Sequence, residues 1–194
     1  MDNFMFFLKE GLFHVLDWDA YDHILFLIAL TVVYEFKNWT KVLWLITLFT
    51  IGHTVTLILA AYNVVEVDKS LVEFLIPVTI FITALVNIFY AKTASKNTKT
   101  NTNLFFALFF GLIHGLGFST YFQMLIGKTS NKLIPLLEFA LGIELAQIII
   151  VFIVLLIGFI LQTVFRFSKR DWIMVISAVV IGVTIPMLKN TAFW

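Results

Sequence analysis

Residues 133–165 constrain the fold more than any other part of the chain. They contain only two charged residues, Glu138 and Glu144, in 33 consecutive positions, whereas a helix needs about 20 apolar residues to cross a bilayer. The whole chain of 194 residues is 61% apolar and 13% charged, with a mean hydropathy of +1.00. Soluble domains carry about 25% charged residues. We therefore predict an all-α, polytopic membrane helix bundle, which excludes a soluble enzyme and, at a net charge of +1, a nucleic-acid-binding domain.

Five further apolar segments accompany this one, so about six transmembrane helices are expected in a single membrane domain, residues 1–194. The predicted spans lie near residues 21–36, 42–62, 71–91, 104–125, 133–165 and 172–188. The first of them is short, and the helix before it could continue it. Residues 1–18 have helically spaced apolar positions but are too short to span, which predicts an interfacial helix. Asp2 and the pair Lys9–Glu10 argue against a cleavable signal peptide.

The distribution of basic residues predicts the orientation of the bundle. The first, third and fifth joints between spans hold eight Lys and Arg residues, and the other side holds five. Because basic residues favour the cytoplasmic side, we expect both termini outside the cytoplasm, in a bacterial inner membrane. The polar segment 92–103 is the one low-complexity joint and is expected to be a solvated linker.

Ionisable side chains accumulate in or beside these apolar segments. An Asp or Lys at the centre of a membrane helix costs at least ~2.5 kcal/mol, so such groups usually mark a functional site. Under the predicted orientation, they lie between the outer surface and the midplane. The residues concerned are His14, Asp22, His23, His53, Glu73, His114, Glu138 and Glu144.

Histidine and carboxylate side chains without cysteine are a ligand set for Zn, Ni, Co, Fe or Mn. The absence of cysteine also excludes disulfides and thiolate sites. We therefore predict an intramembrane divalent-metal site. Its expected members are His23, His53, His114, Asp22 and Glu144, with His14 and Glu138 as additional candidates. Asp22 would serve either as a ligand or as the acceptor that orients the ring of His23.

Each of these residues also has a structural interpretation. A histidine inside a span can form a hydrogen bond across a helix contact, as His114 could among its neighbouring glycines. Asp17 and Asp19 could cap a turn, and Glu73 stands at a capping-box distance from Ser70. Glu138 could interact with a helix dipole. Glu144 lies deeper in its span and has no such alternative.

Four motifs in this order resemble the HupE/UreJ family of small integral membrane proteins. They are GLFHVLDWDAYDHILFLIAL, FTIGHTVTLILA, FGLIHGLGF and LEFALGIELAQ, between residues 11 and 147. The family pattern of a His, a short gap and an Asp-His pair corresponds to His14, Asp22 and His23, although the gap here is longer by about two residues. His53, His114 and Glu144 correspond to the other motifs. The resemblance implies nickel or cobalt permeation.

Three functions follow as hypotheses from the sequence. The first is a nickel- or cobalt-type permease with a divalent ion (Ni, Co or Zn) at the predicted site. The second is a membrane-embedded metal-dependent hydrolase acting on a lipid or lipid-linked substrate, with Glu144 as general base. The third is a structural partner subunit. Expected partners are membrane lipid, the metal ion and either a second copy or a membrane partner protein, with no nucleic acid.

Overall fold

The structure is a computed structural model that describes residues 2–17, 21–94, 100–127 and 132–192, with side chains at 4–17, 21–91, 103–127 and 132–192. Asp19 and residues 95–99 of the predicted linker lie outside these ranges. The predicted all-α helix bundle is confirmed within the described part of the chain. The helices are α1 (Asp2–Leu16), α2 (Asp22–Thr31), α3 (Trp39–Ala61), α4 (Lys69–Ala94), α5 (Thr100–Ile126), α6 (Leu133–Thr163) and α7 (Lys169–Asn190), with a 3-10 turn at Phe36–Asn38 before α3.

Five of these helices, α3 to α7, are long and apolar enough to cross a membrane. The predicted span 21–36 holds a helix of only ten residues, α2, which covers about 15 Å at ~1.5 Å per residue. After this helix, residues 32–34 of the predicted span form a turn, and the backbone of Glu35 is extended. The helix does not cross the membrane alone because the apolar run is too short. A second helix must supplement it to cover the bilayer core of about 30 Å.

The joints between helices meet at two opposite ends of the bundle. The Lys132 ammonium, just before α6, donates to the carbonyl oxygen of Ala61 at 2.5 Å; we call this the upper end. The Lys169 ammonium, at the start of α7, lies 3.1 Å from the Glu35 carboxylate, beyond α2; we call this the lower end. Hydrogen bonds from Lys37 and then Lys169 hold the pKa of Glu35 below its ordinary value.

Together α1 and α2 form one crossing that is interrupted in the middle. α1 begins at the upper end and runs antiparallel to α5, because Glu10 faces Tyr121 and His14 faces Phe118, one turn lower on α5. α2 continues to the lower end, where Asn87 of α4 donates to one of its carbonyl groups at 2.6 Å. The two helices contain 25 residues, about 37 Å of helix. The helix expected at the interface is therefore packed in the bundle.

Candidate metal centre

Four helices bring the four histidines to one level inside the bundle. The ring of His14, from α1, lies 4.6 Å from that of His23, from α2, measured between ring centroids. His53, from α3, lies 5.7 Å from His14 and 5.8 Å from His23. His114, from α5, lies 5.2 Å from His23. Residues as far as 100 positions apart in the sequence thus form a single cluster.

Three of these histidines form a group that could hold a metal ion. One ring nitrogen from each of His14, His23 and His53 lies within 4.8 Å of the other two. Nitrogens at the corners of a triangle of this side lie about 2.8 Å from its centre, and bonds from zinc to imidazole are ~2.0–2.1 Å long. Each ring would therefore have to move inward by about 0.7 Å at most.

The ring nitrogens of this group carry the chemical evidence for a ligand. In the described part of the chain, Nε2 of His14, Nε2 of His23 and both nitrogens of His53 are buried without a hydrogen-bond partner. A buried polar atom without a partner is rare and costs free energy. The three histidines that carry these atoms are the ones that could hold a metal ion together. We call His14, His23 and His53 the histidine triad.

Asp22 orients one member of the triad. Its Oδ1 lies 2.9 Å from Nδ1 of His23 and also accepts the backbone N–H of His23 at 2.7 Å. A carboxylate that accepts the Nδ1 proton leaves Nε2 of the same ring with its lone pair available for a metal. The carboxylate is therefore placed to orient His23, which is one of the two roles expected for Asp22.

His114 lies beside the triad and outside it. The hydroxyl of Thr79 donates to the carbonyl oxygen of Ile76 at 2.7 Å, so its single proton is used. In the contact of 3.3 Å between this hydroxyl oxygen and Nε2 of His114, the ring N–H must then be the donor. Nδ1 of His114 keeps the lone pair and has no partner among the described residues.

The predicted carboxylate members on α6 are not brought to the triad. Glu144 accepts the hydroxyl protons of Thr47, at 2.6 Å, and Thr50, at 2.5 Å, across the contact between α3 and α6. Glu138 is half-buried near the start of α6 and supplies no atom to the group that could hold a metal. That Glu138 and Glu144 bind the metal stays a prediction, because neither carboxylate belongs to the group of atoms that could hold the ion.

A cavity of about 980 Å³ leads to the histidines from between the second half of α1 and the upper parts of α4 and α5. His14, His23 and His114 line its inner part. The carboxylates of Glu10, Asp17, Asp22 and Glu73 also line it, and Glu73 is paired with Lys69 at 3.3 Å. Carboxylates along a cleft with low-dielectric walls raise the local concentration of cations. The path to the triad therefore favours a positively charged ligand.

Comparison with known proteins identifies the family of the chain. The family model described as HupE / UreJ protein matches residues 1–189. The chain belongs to the HupE/UreJ family. These are membrane proteins related to nickel and cobalt transport, and with the five apolar helices the match makes the chain an integral membrane protein. No curated protein and no solved structure matches it significantly.

Proposed function

We propose that the chain is a divalent-metal permease, with nickel or cobalt as its substrate, in the inner membrane of a bacterium. The single observation that carries this proposal is the histidine triad: buried ring nitrogens without partners, at the inner end of a cavity lined by carboxylates. Imidazole nitrogens suit Ni, Co and Zn, and nothing in the described ligand set is a thiolate. Membership of a family related to transport of these metals supports the choice of substrate.

The proposed direction of entry follows from the cavity and from the basic residues. The cavity lies in the upper half of the bundle, whereas the joints of the lower end belong to the more basic side of the sequence. Because basic joints favour the cytoplasm, the upper end faces outward in this proposal. A metal ion from outside would then pass the carboxylates before it reaches the triad.

The test measures binding and flux separately. Purified wild type and the variants His14→Ala, His23→Ala and His53→Ala are loaded with nickel, cobalt or zinc, and metal content per protein is determined. Each variant should lose most of the bound metal. Gln147→Ala is the control, because Gln147 is buried and polar but belongs to the network around Thr50. It should bind metal as wild type does.

Flux of nickel into proteoliposomes then separates transport from the alternatives. The proposal requires flux in wild type and its loss in the triad variants. Metal that binds without crossing would favour the membrane-embedded hydrolase. Wild type that holds no metal after supplementation, or triad variants that hold as much as wild type, would refute the metal site and leave a structural partner subunit.

A further inference from the structure

The contact between α3 and α5 is held by glycines at which the helix backbones touch. A Cβ atom added at Gly52 would lie 2.4 Å from the carbonyl oxygen of Leu108 and 3.0 Å from the backbone nitrogen of Leu112. A Cβ atom added at Gly111 would lie 2.2 Å from the carbonyl oxygen of Phe49. Side-chain carbons do not approach backbone atoms so closely, so only glycine allows this contact.

The contact between α1 and α6 repeats this pattern atom for atom. A Cβ atom added at Gly142 would lie 2.1 Å from the carbonyl oxygen of Leu8 and 2.8 Å from the backbone nitrogen of Leu12. One added at Gly11 would lie 2.0 Å from the carbonyl oxygen of Phe139. Each position in α1 corresponds to the position 100 residues later in α5, and each in α6 to the position 90 residues earlier in α3.

The sequence contains the same repeat. The identical pairs between α1 and α5 are Asn3 and Asn103, Phe6 and Phe106, Leu8 and Leu108, Gly11 and Gly111, Leu12 and Leu112, His14 and His114, and Leu16 and Leu116. α1 runs downward and α5 upward, so the two copies are inverted. α1 thus corresponds to α5 and α3 to α6. In chain order α4 and α7 follow as the last crossing of each half, which gives three crossings in each half. Inverted repeats of this kind are typical of transporters, whose substrate sites lie between the two halves.

Each copy of the repeated histidine is packed against two phenylalanine rings. Beside the triad, the ring of His114 lies 5.2 Å from Phe26 and 5.2 Å from Phe49, which lie below the triad, and these two phenylalanine rings are stacked at 4.9 Å. Phe110 lies 5.8 Å from Phe26 and completes the layer. All three phenylalanine side chains are buried. We call Phe26, Phe49 and Phe110 the lower aromatic layer.

The equivalent group stands above the triad. The ring of His14 lies 3.8 Å from Phe118 and 5.6 Å from Phe139, and these phenylalanine rings are stacked at 5.1 Å. Phe139 is the repeat equivalent of Phe49, as His14 is of His114. The two groups differ in two respects. Phe118 lines the large upper cavity and is only half-buried, and the position equivalent to Phe110 is Glu10, so the upper group has no third phenylalanine.

The lower aromatic layer separates two cavities. The upper cavity ends at His23 on α2 and His114 on α5. A smaller cavity of about 70 Å³ begins one to two turns lower on the same helices, at Leu30 and Phe110, and is lined on its other side by Asn87. Most residues that line the lower cavity are apolar, and Thr83, Asn87 and Asn103 are its polar members. The layer lies between the triad and this cavity along α2 and α5.

We infer that the lower aromatic layer is the closed gate of a permeation path, equivalent through the inverted repeat to the upper group of His14, Phe118 and Phe139. The inference rests on the proposed function, since a gate presupposes passage. A layer of apolar side chains blocks ions by excluding water from the constriction. With the upper cavity open and the lower layer closed, the structure is the outward-open member of a pair of states that exchange when the two halves rock against each other.

The test uses the absence of cysteine in the wild-type chain. Ile76→Cys places a thiol in the upper cavity, above the layer. A charged, impermeant thiol reagent is applied to sealed vesicles of each orientation, so that labelling is measured from both sides without reference to metal. With the layer intact, labelling should occur from one side only. Adding Phe26→Ala or Phe110→Ala should raise labelling from the other side by roughly tenfold or more.

Phe109→Ala is the matched control, because Phe109 neighbours Phe110 on α5 but is 46% exposed on the outside of the bundle. It should leave the labelling one-sided, and gel filtration of each variant verifies that it folds. Two-sided labelling with the layer intact, or one-sided labelling in both layer variants, would overturn the gate. Nickel flux measured on wild type tests the permease separately: a gate that behaves as expected in a protein without flux would refute the proposed function alone.

Discussion

Gly52→Ala should destabilise the bundle by an amount that the geometry sets. The new Cβ atom would lie 2.4 Å from the carbonyl oxygen of Leu108, about 1 Å closer than an ordinary contact. The obstacle is helix backbone, so α3 and α5 must separate, and overpacking of this kind costs about 1–3 kcal/mol. Thermal unfolding in detergent should show a melting temperature lower by a few degrees to about 10 °C, at ~2–4 °C per kcal/mol for a chain of this size.

The matched control, Gly182→Ala, is not expected to lower the melting temperature. Gly182, in α7, has no atom within 4 Å of its added Cβ position, and alanine is the better helix former by about 1 kcal/mol. Gly182→Ala should therefore leave the melting temperature unchanged or raise it. Gly142→Ala should resemble Gly52→Ala, because its Cβ atom meets the backbone of Leu8 at 2.1 Å. Equal shifts for Gly52→Ala and Gly182→Ala would refute the close backbone contact.

Three other outcomes are expected. Asp22→Ala removes the acceptor that orients His23, so nickel affinity measured by titration should fall about 10–100-fold, while unchanged affinity would exclude the orienting role. Glu35→Gln should lower the free energy of unfolding at pH 7 by at most about 1 kcal/mol. Because the pKa of Glu35 is lowered in the folded protein, the carboxylate stabilises the fold above its ordinary pKa of 4.5, and this stabilisation is lost as the pH falls below that value. The melting temperatures of wild type and variant should therefore converge in acid. Val64→Cys, at the upper end, should react with an impermeant reagent in intact cells and Phe167→Cys, at the lower end, should not; the reverse would invert the orientation.

The long helices could be predicted from the sequence because a bilayer imposes their length and composition. The short first span also predicted that the helix before it could continue it, as α1 and α2 do. Hydropathy could not decide between this broken crossing and an interfacial helix, since it measures only the total of apolar residues and a broken crossing splits that total between two short helices. The position of α1 also could not be predicted without its packing. Its 15 residues are too few to span the membrane. The spacing of its apolar residues suits an interfacial helix as well as a helix held in the bundle by a glycine contact at Gly11.

The site was predicted in part for a similar reason. His23 and His53 were expected as ligands because histidines at membrane depth are costly, and the structure brings both into the triad. The free-energy cost of an ionisable side chain at membrane depth does not say which side chains it contacts. Glu144 seemed to have no structural alternative, yet hydroxyl groups from α3 occupy both of its oxygens, and a contact between residues 97 positions apart leaves no local pattern. His14 was the weaker match to the family spacing but is a member of the triad.

The repeat gives His114 an expected role that the triad alone does not. His14 and His114 are equivalent positions of the two halves, and in this outward-open arrangement His14 is the one grouped with His23 and His53. When the halves exchange, His114 should take the place of His14, because its Nδ1 is already without a partner among the described residues. We therefore expect His114→Ala to bind nickel nearly as well as wild type but to carry it into proteoliposomes more slowly, whereas His14→Ala should lose both. Loss of binding in His114→Ala would make it a ligand in the present arrangement, and unchanged flux would remove it from the path.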